Sequence, residues 1–174
     1  MPYLVLGYPK ISEKDQKWIN EYRKKYDELY YNVVDTHFTI VFPTFNISKS
    51  DFINEVKKQS ENIYKIKFKI KCSVIDKNSF NEYWHTFLVP DEGFSEIIRL
   101  HDKLYSDKLF ETMRIDLHFI PHIGITSLKD SIQTWKIIQE INQSNINIIG
   151  KIENLDIVNY EDNKVTTLEK IILK

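Results

Sequence analysis

The sequence predicts an α+β fold built mostly from antiparallel sheet. Runs that alternate with period two, capped amphipathic segments between them, and neighbouring strands joined by turns such as "DKN" at 76–78 and "EDNK" at 161–164 point to it. Tyr3–Tyr8 is a short apolar run punctuated by Gly7 and Pro9, and reads as the first strand. Ser12 followed by Asp15 marks a helix start, with Trp18, Ile19, Tyr22, Tyr26 and Leu29 on one stripe. Residues 33–42 read as a second strand ended by Pro43, and a helix is expected from about Ser50 with Phe52, Ile53, Val56 and Ile63 inward. Residues 65–75 alternate: Ile66, Phe68, Ile70, Cys72 and Val74 take one face, and Lys65, Lys67, Lys69, Lys71 and Ser73 the other. A strand over 83–89 is expected to end at Pro90. The helix predicted from about Gly93 places Phe94, Ile97, Ile98, His101, Leu104 and Tyr105 at helical spacing. A strand at 117–126 follows, and then a helix capped by Ser127 with Asp130, its inner stripe Leu128, Ile132, Trp135, Ile138 and Ile141. Two strands, about 146–159 and 164–173, close the chain. Glycine and proline are scarce and there is no low-complexity linker, so residues 1–174 are expected to form one domain.

Charge and cysteine content narrow the function. The 24 basic and 25 acidic residues nearly cancel, so bulk attraction to a polyanion is not expected and any nucleic-acid contact must be local. A lone Cys72 rules out a disulfide within the chain and any multi-cysteine metal site, and suits a reducing compartment. No apolar run approaches the length of a membrane span, and "MPYLVLGYPKISEK" lacks the basic start and long apolar core of a signal peptide. A cytoplasmic protein without membrane contact, acting as a monomer, is the expectation.

Histidine enters a strand-like run twice: "DTHFTIVFP" at 35–43 and "DLHFIPHIGIT" at 116–126. Period-two alternation places Thr36, Phe38, Ile40 and Phe42 on a packing face, with His37 and Thr39 opposite. In the second run Phe119, Pro121, Ile123 and Ile125 pack, and His118, His122, Gly124 and Thr126 lie opposite. Both runs bury their apolar side and present histidine on the open one. Two imidazoles facing one cleft suit phosphodiester chemistry: one takes a proton from the attacking oxygen, the other gives one to the leaving oxygen. A hydroxyl two residues on can donate to the non-bridging phosphate oxygens as charge builds there.

"HFTI" at 37–40 and "FIPHIGI" at 119–125 resemble the paired His-x-Thr-x signatures of the 2H phosphoesterases, the superfamily of the 2′-5′ RNA ligases and cyclic phosphodiesterases. The separation of 85 residues between His37 and His122, the block "HTFLVPDEG…LHDKLY" and the duplicated strand–helix order are similar too. The resemblance implies a bilobal α+β fold: two pseudo-symmetric, mostly antiparallel sheets around a central cleft, helices outside, one motif from each lobe. It implies His37 and His122 as catalytic residues, Thr39 as the phosphate-binding hydroxyl, and no metal or organic cofactor. The second motif departs from the pattern, because Gly124 stands where the family has Thr or Ser. Two substitutes are available for that lost donor. Phosphate or water can approach the Gly124 backbone more closely, or Thr126, about 7 Å further along a strand, can supply its hydroxyl.

Other residues have competing readings. His118 and His122 are four apart, but Pro121 spoils a helix there and no Glu follows His118, against a zinc motif. Arg114 and Lys108, in the loop before the second motif, and His118 are the candidates for further substrate contacts. The lysine row at 65–71 reads as a solvated face or a guarded sheet edge, or as a cationic lining of the cleft. His85 and His101 read as structural, Trp18 and Trp135 as core, and Trp84 as a residue able to stack a base. The function implied is a phosphodiesterase opening 2′,3′-cyclic phosphates or cleaving 2′-5′ bonds of nucleotides or RNA ends. A phosphodiesterase of a cyclic oligonucleotide signal, and a nucleotide- or RNA-binding module with weakened catalysis, remain open beside it.

Overall fold

The computed structural model describes residues 2–174. In chain order the elements are β1 (Tyr3–Gly7), β2 (Pro9–Lys10), α1 (Glu13–Tyr26), β3 (Phe38–Thr44), α2 (Lys49–Ser60), β4 (Ile66–Lys77), β5 (Trp84–Glu92), α3 (Phe94–Leu104), a 3-10 turn (Asp107–Thr112), β6 (Ile123–Leu128), α4 (Ser131–Gln143), β7 (Ile148–Ile152), β8 (Asn154–Glu161) and β9 (Lys164–Ile172). They form two sheets, β3-β1-β8-β9 and β2-β7-β4-β5-β6, in which every ladder is antiparallel. Helices α1 and α4 pack on the second sheet, while α2 packs on α3 and on β9 of the first, and α3 also reaches strands of both sheets. The bilobal α+β architecture read from the sequence is the one observed. Among the described residues no helix is long and apolar enough to cross a membrane.

The helices start where their caps dictate. Ser12 and Ser48 accept hydrogen bonds from the backbone N–H of Asp15 and Asp51, and Asp130 accepts from those of Ile132 and Gln133. Asp130 alone therefore caps α4, and Ser127 and Leu128 belong to β6 instead. This rotates the expected stripe: Thr134, Ile137, Ile138 and Ile141 face inward, and Ile132 and Trp135 lie outside, Trp135 50% exposed. Gly93, at φ +84° before α3, sits so close to Lys67 that an added Cβ would collide with its carbonyl.

Three strands depart from simple alternation. In β4 the register slips by one at Lys71, opposite Pro90, which has no N–H to complete the ladder. Beyond that bulge Ser73 is buried and Cys72 and Val74 are exposed, the reverse of the expected faces. In β3 the ladder to β1 shifts register twice, so Ile40 and Val41 are both buried and Phe42 turns to the opposite side. Pro43 lies inside β3, as an edge strand allows. In β6 the register slips at Ile125, opposite the Thr86–Phe87 step. The lysine row lies on a strand paired on both sides, not at an edge, with Lys69 bonded to Glu92 and Lys71 to Asp91.

A continuous apolar core joins both sheets, for example where Phe38 of β3 meets Phe68 of β4 edge-on, ring centres 5.1 Å apart. Strands β3 and β6, which follow the two histidine motifs, are each the outermost strand of their sheet.

Candidate active site

A cavity of about 600 Å³ opens between the sheets, and His37, Thr39, His122, Gly124 and Thr126 all line it. The two histidines occupy equivalent places. His37 immediately precedes β3 and His122 immediately precedes β6, so each stands at a strand entrance and not within a strand as expected. Residues 33–36 are outside the sheet because Arg23 takes the Val34 carbonyl, and Pro121 helps keep the run before β6 out of its ladder. Each ring is clamped alike: His37 Nδ1 lies 2.7 Å from the Asp35 carbonyl, and His122 Nδ1 lies 2.6 Å from the Ile120 carbonyl. A carbonyl only accepts, so Nδ1 carries the proton in both rings and each Nε2 is left unprotonated in the neutral ring. A clamp from the carbonyl two residues back thus fixes both tautomers.

Burial pushes both imidazoles below their ordinary range. For His37 the downward push of burial is opposed by its hydrogen bond to the Asp35 carbonyl. His122 is brought down to about 4, first by burial and then by the neighbouring His37 and His85. Both rings are therefore neutral at pH 7, with an Nε2 lone pair available as a base. His122 stacks on Phe87 of β5 at 3.6 Å between ring centres, and Tyr8 meets His37 edge-on at 6.5 Å. Thr39 presents a hydroxyl that makes no hydrogen bond among the described residues.

Beneath the histidines runs a buried polar chain. Asn78 donates to His85 Nε2 over 3.0 Å; His85 Nδ1–H donates to the Thr126 carbonyl and Ser127 Oγ, both at 3.2 Å. Ser127 Oγ–H donates to Asp27 Oδ1 over 2.9 Å, and Asp27 Oδ2 accepts from Arg23 Nε over 3.1 Å. Arg23 also donates to the carbonyls of Tyr30 and Val34, tying the loop before His37 to α1. Behind the site His101 donates to the Ile40 carbonyl and stacks on Phe119 at 3.6 Å, so one buried ring braces both motif segments.

A profile of the 2′-5′ RNA ligase superfamily matches residues 11–164. The chain belongs to that superfamily. The resemblance to the 2H phosphoesterases drawn from the two histidine motifs therefore holds. No curated protein sequence matches the chain significantly. Among solved structures, TT0787 of Thermus thermophilus is similar, with a TM-score of 0.64 at 14% identity over 99% of this chain and 98% of that one. E. coli LigT complexed with 3′-AMP gives 0.59 at 13% identity, covering 99% and 97%. Kluyveromyces marxianus Usb1 gives 0.56 at 7% identity, covering 96% and 97%. At such identities these likenesses establish a shared fold.

The 2H fold brings some expected residues together and leaves others aside. His118 is exposed and lines the cavity. Thr126 also lines it, but its only hydroxyl proton goes to Thr86 Oγ1 over 2.8 Å, and its oxygen accepts the Thr86 N–H. That disqualifies Thr126 as the substitute donor for Gly124. Arg114 lies outside the cavity lining, bonded twice to Asp116 at 2.8 and 2.5 Å and set over the Phe80 ring. Lys108, on the 3-10 turn, faces Asp51 of α2 at 3.7 Å, away from the cavity. The lysine row of β4 contributes nothing to the lining, and Trp84 lies under Lys77 outside it. Sequence reasoning missed Arg23, Asp27, Asp76, Asn78 and Ser127, and the buried His85, bonded through both ring nitrogens, fits its structural reading. A signal existed: Arg23 and Asp27 continue the helical stripe of Ile19 at four-residue steps, and His85 shares a strand face with Phe87.

Proposed function

We propose that the chain is a phosphodiesterase that opens 2′,3′-cyclic phosphates or cleaves 2′-5′ linkages of nucleotides or RNA ends. The matched clamping of His37 and His122, which leaves two Nε2 atoms and the Thr39 hydroxyl in one cavity, carries this reading. One neutral imidazole takes a proton from water as its oxygen attacks phosphorus. The P–O bond to the ribose oxygen breaks, and the other imidazole, protonated at Nε2, gives its proton to that leaving oxygen. The anionic phosphate supplies the negative charge that raises the second imidazole's proton affinity. Thr39 donates to a non-bridging oxygen where charge grows. Protein groups thus meet both proton transfers, and no step needs a metal or organic cofactor.

That LigT structures hold 3′-AMP, NADP+ and ATP supports a nucleotide-sized occupant. One continuous core joining the two sheets supports their acting as one domain. The test is hydrolysis, with chelator present, of 2′,3′-cyclic mononucleotides, 2′-5′ and 3′-5′ dinucleotides and cyclic oligonucleotides by the wild type, His37→Ala and His122→Ala. Activity on the first two classes that survives chelator and vanishes in both variants is expected. The missing hydroxyl at Gly124 favours a second reading, a binding module. Nucleotide binding without turnover across the whole panel would establish that alternative.

A further inference from the structure

Three carboxylates line the cavity, and two are saturated. Asp27 accepts from Arg23, from Ser127 and from the Tyr30 N–H, and Asp116 holds the Arg114 guanidinium. The Asp76 carboxylate makes no hydrogen bond or ion pair among the described residues, though the charges of His85 and Lys77 act on it. The histidine facing it is already committed. Asp76 stands directly opposite His85 in the β4–β5 ladder, but His85 directs Nδ1–H at Thr126 and Ser127 and uses Nε2 to accept from Asn78. The Asn78 side chain is held over the next turn by its Oδ1, which accepts the Phe80 N–H. A half-buried carboxylate without donors is costly to keep, and burial accordingly pushes the Asp76 carboxyl upward. An occupant bringing N–H donors would relieve that cost.

The position of Asp76 relative to the histidines suggests which part of an occupant meets it. Phe87 lies two residues beyond His85 on the same strand face, about 7 Å along the strand, and its ring carries His122. With the phosphate of a nucleoside at His37 and His122, Asp76 lies in the same cavity, where the base can meet it. Tyr30 and Phe80, residues 41% and 69% exposed, flank this region of the lining, and a purine can stack on the ring faces turned away from His85 and Arg114. A carboxylate can only accept. Guanine alone among the four bases presents two adjacent N–H donors, N1–H and the N2 amino group, to such an acceptor. Adenine and cytosine pair one amino group with an acceptor nitrogen, and the uracil N3–H lies between two carbonyl oxygens that a carboxylate repels. We infer that Asp76 is a specificity-determining residue that receives the N1–H and N2–H donors of guanine, making guanosine 2′,3′-cyclic phosphate, free or at an RNA end, the preferred substrate. This rests on the placement of phosphate at His37 and His122.

The experiment compares kcat/KM for the four 2′,3′-cyclic mononucleotides in the wild type and in the isosteric Asp76→Asn. Binding of the four nucleoside 3′-monophosphates is measured by calorimetry alongside. The guanosine form is expected to lead the others by at least about tenfold, and Asp76→Asn to lose that factor while changing the others less than about threefold. Equal values for all four bases in the wild type overturn the inference while leaving the phosphodiesterase reading intact. If no cyclic phosphate is turned over, that reading fails and the binding arm decides for Asp76. Tighter binding of 3′-GMP that Asp76→Asn abolishes supports the inference, and equal binding of the four overturns it.

Discussion

Titration of His122 ties the site to the stability of the whole chain. Its imidazole ordinarily titrates near 6.5, and burial, with His37 and His85 close by, holds it at about 4 in the folded protein. Between pH 4 and 6.5 the unfolded chain therefore binds a proton at this residue that the folded chain refuses. The associated stability is fully present above pH 6.5 and is lost as pH falls toward 4. A displacement from 6.5 to about 4 corresponds to about 3 kcal/mol, a large fraction of the stability of a small domain. Replacing His122 by Gln removes the titration. Urea unfolding of the wild type and His122→Gln at several pH values between about 4 and 8 isolates the residue, because the other histidines are common to both. The wild type is expected to lose about 3 kcal/mol more than the variant over that range. A difference independent of pH, or a His122 Cε1 resonance titrating near 6.5, would refute the reasoning.

Four further outcomes are expected. Because both imidazoles are neutral at pH 7, binding of a nucleoside 3′-monophosphate should take up a proton, read as a binding enthalpy that varies with the ionisation enthalpy of the buffer. A Cβ at Gly124 would meet only the Phe87 ring, at 3.9 and 4.0 Å, so Gly124→Thr should fold and turn over substrate as fast or faster; a loss above about tenfold would show that the glycine itself is required. Asp27→Ala leaves the Arg23 guanidinium buried without its countercharge and should cost about 3–5 kcal/mol in chemical unfolding. Among the described residues Arg23 is the one lysine or arginine of the lining and is consumed by Asp27, so kcat/KM for a cyclic mononucleotide should change less than about twofold over a tenfold rise in salt.

Much of this fold is legible in period and punctuation. Ser12 caps α1 as read, and Ile66, Phe68 and Ile70 face the core as alternation requires. The failures share a cause, since each lies where tertiary pairing overrides a local rule. Pro43 and Pro90 read as strand ends, yet an edge position and a bulge accommodate them within β3 and β5. A one-residue bulge reverses every face beyond it, which is why Cys72 and Val74 point outward and Phe42 points into the cavity. The histidine motifs were legible because two matching patterns 85 residues apart constrain each other. The floor of the cavity was not, because its members Arg23, Asp76, His85 and Ser127 come from four elements that only the fold brings together.

In the reaction proposed above, the polarity of that floor lets a phosphate site work without a free cation. Among the described residues no lysine lines the cavity, so the attractions for the anion near the two histidines include the Thr39 hydroxyl, the backbone at Gly124 and the imidazoles themselves. A neutral imidazole with its proton clamped on Nδ1 offers Nε2 only as an acceptor, which repels phosphate until that nitrogen is protonated. Binding and protonation are then linked: the anion raises the imidazole's proton affinity, and the proton so captured is the one the leaving oxygen needs. A permanent cation beside His122 would hold the phosphate more tightly but would also lower that affinity further, removing the acid from the reaction. Pairing Arg23 with Asp27 sets a carboxylate that raises the proton affinity of His37 against the guanidinium that lowers it, while the guanidinium braces the segment that carries His37.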